Sequence, residues 1–190
     1  MTASTTRAGR EPASSDALER ALGLIASIPD HPTPGVVFRD LTPLFADGAA
    51  FADVVDALIA PFAGRFDAVA GLEARGFLLA GAIAMRTGAG LVPIRKQGKL
   101  PRATEAQSYD LEYGSATIEA HRGDLPAGSR VLLVDDVLAT GGTLGAAIRV
   151  ADRLGWDVVG ASVVLEIDAL DGRAVVSGDG AARIVSLFHV

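Results

Sequence analysis

The chain has 190 residues and no cysteine; 49% are apolar, 21% are charged, and 17 Lys and Arg stand against 23 Asp and Glu for a formal charge of −6. This length and apolar content support one domain with a substantial core and exclude a disordered chain. The acidic balance excludes a binder that neutralises many nucleic-acid phosphates, so an anionic ligand must meet a local cluster of cations.

Without Cys there is no disulfide, thiol nucleophile or thiolate metal site, which suits the cytoplasm. The longest nearly unbroken apolar run, Phe77 to Met85, is far shorter than the ~20 residues of a membrane-spanning helix. Residues 1–13 are small and polar, lack the apolar stretch of a secretory leader, and read as a flexible extension. Residues 14–190 read as a single domain, with roughly 14–45 forming a small cap.

Asp16 and Glu19 have the spacing of a helix N-cap and its reciprocal acid, and Leu18, Leu22 and Ile25 follow on one face. The stretch Ile28 to Gly35 holds three prolines and must be a loop or linker. Phe51, Val54, Val55, Leu58, Ile59 and Phe62 keep the period of a core-facing helix. Short apolar runs at Ala68–Gly71, Leu91–Ile94, Val131–Val134 and Val158–Leu165 then alternate with helical stretches near Phe77–Arg86 and Leu144–Leu154, the pattern of a mostly parallel α/β sheet. Gln97 to Ser108 reads as a mobile loop. Tyr109, Leu111 and Tyr113 alternate with polar residues before Gly114-Ser115, so this segment and Ala116–Ala120 read as an antiparallel hairpin.

The segment Val131 to Thr143 reads as a strand, the adjacent acids Asp135 and Asp136, and a small-residue turn entering a helix. Gly141 and Gly142 let the backbone approach a ligand, while Thr140 and Thr143 add hydroxyls beside the unpaired N–H groups of a helix start; together they form a phosphate cradle. The two acids would repel a phosphate unless they face ribose hydroxyls, Mg²⁺ or a developing positive charge. A phosphorylated sugar meets these demands together. Neither a Walker-type phosphate loop nor a dinucleotide-binding glycine turn is present, and His31, His121 and His189 have no metal-ligand spacing.

This thirteen-residue run resembles the signature of the type I phosphoribosyltransferases. Phe38-Arg39-Asp40, Gly71 to Phe77, Ile94 to Pro101 and Tyr109 to Gly114 extend the likeness to the adenine-specific members, in order, from about Ile25 to about Ala174. The resemblance implies their α/β fold with an N-terminal hood and a flexible β-hairpin loop. It implies transfer of the phosphoribosyl group from phosphoribosyl pyrophosphate (PRPP) to adenine, giving AMP and pyrophosphate in purine salvage. It further implies Mg²⁺ carried mainly by the substrate rather than by a protein metal site, and a homodimer that engages neither nucleic acid nor membrane.

By position, the resemblance gives Asp135 and Asp136 the ribose hydroxyls and the oxocarbenium-like charge, and gives Ala139, Thr140, Gly141, Gly142 and Thr143 the 5′-phosphate. Arg75, Arg95, Lys96 and Lys99 fall to the pyrophosphate. Val37, Phe38, Arg39 and Leu138 fall to adenine, and Glu112 acts as acid/base partner of its imidazole edge. Glu73-Ala74 stands where many such enzymes have Asp-Ser. Two other readings remain: a transferase for hypoxanthine, guanine or xanthine, and a non-catalytic PRPP-sensing regulator, for which the chain shows no DNA-binding module.

Overall fold

The computed structural model describes residues 13–110, 114–177 and 183–190. Glu112 and residues 1–12 lie outside the described residues. The chain divides into two compact units, one up to Ala57 and the other from Leu58 to Val190.

In the first unit, α1 spans Ser15–Gly23 and is capped by Ser14, whose hydroxyl accepts the Ala17 N–H at 3.2 Å. The cap therefore precedes the expected Asp16, which instead sits in the first turn and complements the helix dipole. Ala17 and Ala21 form the buried i, i+4 stripe, whereas Leu22 is exposed and Ile25 lies beyond the helix; small side chains allow the closer approach. Arg20 pairs with the buried Asp53 at 3.1 Å.

Strands β1 (Ala26–Ile28) and β2 (Phe38–Asp40) form an antiparallel ribbon around the proline-rich loop, and the His31 ring meets Phe38 edge-on at 5.2 Å. Helix α2 (Thr42–Ala46) follows. Asp47 caps α3 (Gly48–Ile59) by accepting the N–H groups of Ala49 and Ala50 at 3.0 and 2.9 Å. Val54, Val55, Leu58 and Phe62 are buried, as their spacing predicts.

The second unit contains β3 (Ala68–Leu72), α4 (Gly76–Thr87), β4 (Gly90–Lys96), β5 (Thr104–Asp110), β6 (Ser115–His121), β7 (Arg130–Leu138), α5 (Gly142–Arg153), β8 (Asp157–Glu166), α6 (Gly172–Ser177) and β9 (Ile184–His189). They build a seven-stranded sheet of order β5-β6-β4-β3-β7-β8-β9, in which β4, β3, β7, β8 and β9 run parallel and β5-β6 is an antiparallel excursion at one edge. The β3-α4-β4 and β7-α5-β8 units wind outward in opposite directions from the sheet centre. Strand order therefore reverses between β3 and β7, and the crevice beyond their carboxyl ends is where such sheets bind ligands. Leu144, Ala147, Ile148 and Ala151 of α5 pack with Val131, Leu133, Leu72 and Ile94 in the core. Each fully buried Leu, Ile or Val contributes about 1.5–3 kcal/mol.

Two expectations are corrected. β7 runs through the two acids to Leu138, since β8 goes on pairing with it after β3 stops at Gly71↔Val134. Thr104–Ser108 is strand rather than mobile loop: β5 pairs with β6 from Thr104↔His121 to Asp110↔Ser115, and its mixed polar sequence hid it. β9, for which no expectation was drawn from the chain's pattern, is held parallel to β8.

Candidate active site

The turn after β7 closes around Gly141, which adopts φ 81°, ψ −10° as N-cap of α5 and brings no capping side chain. The N–H groups at the helix start are thus left for a ligand, with the dipole favouring an anion. Asp135, Val137, Leu138, Ala139, Thr140, Gly141 and Thr143 line a crevice open to solvent.

This turn is braced from behind. A Cβ on Gly141 would collide with the carbonyl oxygen of Gly172, and one on Gly172 with that of Ala139, so two backbones meet with no room for side chains. Next to Gly172, Arg173 ion-pairs with Glu166 at the end of β8 and donates to the Ile184 carbonyl at 2.9 Å.

Gly76 opens α4 against the same strand end. A Cβ there would stand 2.7 Å from the Val134 carbonyl oxygen and 3.1 Å from Asp135 Oδ1. The Glu73-Ala74-Arg75 turn, whose first peptide bond is cis, is thereby brought beside the acid pair. Arg75 Nε lies 2.7 Å from Oδ2 of the buried Asp136. Asp135 Oδ1 accepts the Asp136 N–H at 2.9 Å. Burial, and then the neighbouring Asp136 charge, push the Asp135 carboxyl well above its usual range.

Two of the four expected cations, Arg95 and Lys99, gather around Glu73. Lys99 pairs with Glu73 Oε1, Arg95 Nε lies 3.4 Å from Oε2, and the Lys96 N–H donates to Oε2 at 3.0 Å. Burial raises the Glu73 carboxyl, but the Lys99 and Lys96 hydrogen bonds and the Lys99 and Arg95 charges outweigh it and hold it below its ordinary value. Glu119, also buried, accepts the N–H groups of Gly98, Lys99 and Leu100 at 2.9, 3.2 and 3.2 Å and the Thr104 hydroxyl at 3.0 Å, so the turn bearing Lys99 is built on it. Sequence reasoning missed this role of Glu119: its only local signal was an acid on a strand.

Val37, Phe38 and Arg39 lie in the first unit, where Val37 is exposed and Arg39 donates to Ser27 Oγ. Leu138, 2% exposed, packs into the core and also lines the crevice, next to half-buried Val137.

A sheet with its order reversal at a glycine phosphate turn, set between paired acids and clustered cations, defines a phosphoribosyl transferase domain, and residues 45–178 match that family. An adenine phosphoribosyltransferase of Renibacterium salmoninarum is 58% identical over 169 residues, covering 89% of this chain and 93% of the relative. Among solved structures, the adenine phosphoribosyltransferase of Rhodothermus marinus superposes with TM-score 0.87 at 40% identity, covering 93% of this chain and 100% of the other. That of Saccharomyces cerevisiae, complexed with an imino-altritol bisphosphate and adenine, gives 0.85 at 34% identity, with 92% and 99% covered. The chain belongs to the adenine phosphoribosyltransferase family. It is a purine-salvage transferase that converts adenine and PRPP to AMP and pyrophosphate.

Proposed function

We propose that this reaction runs in the crevice between β3 and β7, with the 5′-phosphate of PRPP held by the backbone and hydroxyls of Ala139, Thr140, Gly141, Gly142 and Thr143. The observation that carries this reading is the uncapped helix start at Gly141, braced by Gly172. Asp135 and Asp136 hold the ribose hydroxyls and stabilise positive charge as the C1′–oxygen bond to pyrophosphate lengthens. Arg75, Arg95, Lys96 and Lys99 neutralise the departing pyrophosphate.

Adenine N9 attacks C1′. The N9–C1′ bond forms, pyrophosphate leaves with its bonding pair, and Glu112 takes or shares the imidazole proton. Val37, Phe38 and Arg39, in a base-binding cap of residues 14–45, serve the base, with Leu138 as the apolar contact from β7. Glu112→Gln and Glu112→Leu both lower turnover, by about 10²-fold if proton transfer matters, and the Leu variant also loses adenine affinity.

The residues fit a Mg²⁺ that arrives on PRPP. Asp135 stands at the crevice as a carboxylate disfavoured in its charged form, and Asp136 is engaged by Arg75. In the cluster Glu166, Asp168 and His189, Glu166 is paired with Arg173 and Asp168 with His189. Such a donor set suits a cation that keeps waters and substrate oxygens, and the ion would supply charge neutralisation of the pyrophosphate.

A homodimer is supported by α4, where Leu78 and Met85 are 55% and 79% exposed seven residues apart on an otherwise apolar helix. Among the described residues no helix is long and apolar enough to cross a membrane, and the absence of cysteine suits the cytoplasm. The deciding assay mixes the protein with Mg²⁺, PRPP and each purine base in turn. Nucleotide from adenine alone is expected; nucleotide from hypoxanthine, guanine or xanthine instead overturns the base assignment.

A further inference from the structure

Thr143, at the crevice, does not present a free hydroxyl: its Oγ1 donates to the Tyr109 hydroxyl at 3.0 Å. The Tyr109 ring also lies against the phosphate turn, since a Cβ on Gly142 would stand 2.9 Å from Tyr109 Cδ2. Two independent contacts, one polar and one steric, thus seat this tyrosine on two consecutive residues of the turn. Tyr109 comes from β5, paired with Ala116 of β6, and β5 is fixed to α5 by Arg153, which bonds the Ala106 carbonyl at 2.7 Å and Glu105 at 2.8 Å.

A threonine hydroxyl has one proton. While Thr143 gives it to Tyr109, it has none for a phosphate oxygen. Both groups are satisfied when the pair reverses: Tyr109 donates its phenolic proton to Thr143 Oγ1, and Thr143 turns its own proton to the phosphate. The reversed chain is polarised in one direction, so each hydrogen bond strengthens the next.

We propose that Tyr109 is a positioning residue for the 5′-phosphate, acting through Thr143 by this reversal and touching neither adenine nor pyrophosphate.

The inference rests on the reading of Ala139–Thr143 as the 5′-phosphate turn, and a double-mutant cycle separates the two. Tyr109→Phe keeps the ring against Gly142 and removes one oxygen; Thr143→Val keeps the shape of Thr143 and removes its hydroxyl. Ribose 5-phosphate and AMP affinities are measured by calorimetry for both variants and their combination, with KM for adenine and PRPP and a melting curve alongside.

Thr143→Val and Tyr109→Phe are each expected to weaken ribose 5-phosphate and AMP by about 3- to 10-fold, the range of one net hydrogen bond. KM for PRPP should rise while KM for adenine stays within about twofold, and the double variant should be little weaker than Thr143→Val alone. If Thr143→Val binds ribose 5-phosphate as the wild type does, the phosphate-turn reading fails. If Thr143→Val weakens it and Tyr109→Phe does not, or if the two losses simply add, that reading stands and the role of Tyr109 is overturned. Tyr109→Leu, which also removes the ring, should lose more affinity and some thermal stability; a loss of stability with ribose 5-phosphate affinity intact would mark Tyr109 as packing only.

Discussion

The two sides of the crevice proposed to bind anions are built differently. The turn at Ala139–Thr143 is a matter of backbone: Gly141 and Gly172 meet with no side chain between them, Gly76 abuts the adjoining strand end, and Thr143 is bonded to Tyr109. The cations at Arg95 and Lys99 are held by side chains instead, with Lys99 47% exposed and both paired to Glu73. On the proposed roles the difference has a chemical reason. The 5′-phosphate stays on the ribose from PRPP to AMP and suits a rigid, shape-selective seat. Pyrophosphate must be gripped and then released, which suits mobile cations that return to Glu73 when it leaves.

The comparison breaks most sharply at the acid pair that lies between the two sides. Asp136→Asn and Asp135→Asn are each expected to lower kcat about 10²-fold, equivalent to about 2.7 kcal/mol of barrier. Their stabilities should diverge: Asp135→Asn raises Tm because a disfavoured charge beside Asp136 is removed, while Asp136→Asn lowers it because Arg75 loses its carboxylate. Near-normal turnover in both folded variants would make the pair structural.

Next in size is the rigid side. Gly172→Ala pushes a methyl onto the Ala139 carbonyl and displaces the turn, so PRPP and AMP should both weaken about tenfold or more in calorimetric titration, a loss of about 1.4 kcal/mol. An unchanged AMP affinity would show that the turn tolerates displacement.

The side built on side-chain cations should behave oppositely. Lys99→Ala is expected to weaken PRPP several-fold, within the ~0.5–1.5 kcal/mol of one polar contact, and to leave AMP nearly unchanged. Added salt should erode PRPP affinity more steeply than ribose 5-phosphate affinity, since exposed cations are the more screened. Equal losses of AMP and PRPP in Lys99→Ala would move that cation to the 5′-phosphate or to the fold.

The smallest effect concerns Glu73 and acid. Its carboxyl lies below the ordinary value in the folded protein, so its contribution to stability is complete above the unfolded pKa and is lost as pH falls through the folded one. Glu73→Gln should therefore melt lower than wild type near neutral pH, with the gap closing in acid below about pH 4. A gap that stays constant with pH would mean that the Glu73 ion pairs contribute nothing.

What the sequence determined by itself is the local chemistry. The strand-acid-glycine run from Val131 to Thr143, the helix period from Phe51 to Phe62 and the apolar runs of the central strands are short-range patterns, because steric rules and side-chain period act over a few residues. They sufficed to place the acid pair and the glycine turn that line the crevice. Tertiary structure alone decided which partners those residues meet. Lys99 reaches across 26 positions to Glu73, and Tyr109 across 34 to Thr143. Arg75 finds Asp136 only because Gly76 packs against β7. β5 was hidden for the same reason: its mostly polar sequence carries little period of its own, and the strand is held by its pairing with β6.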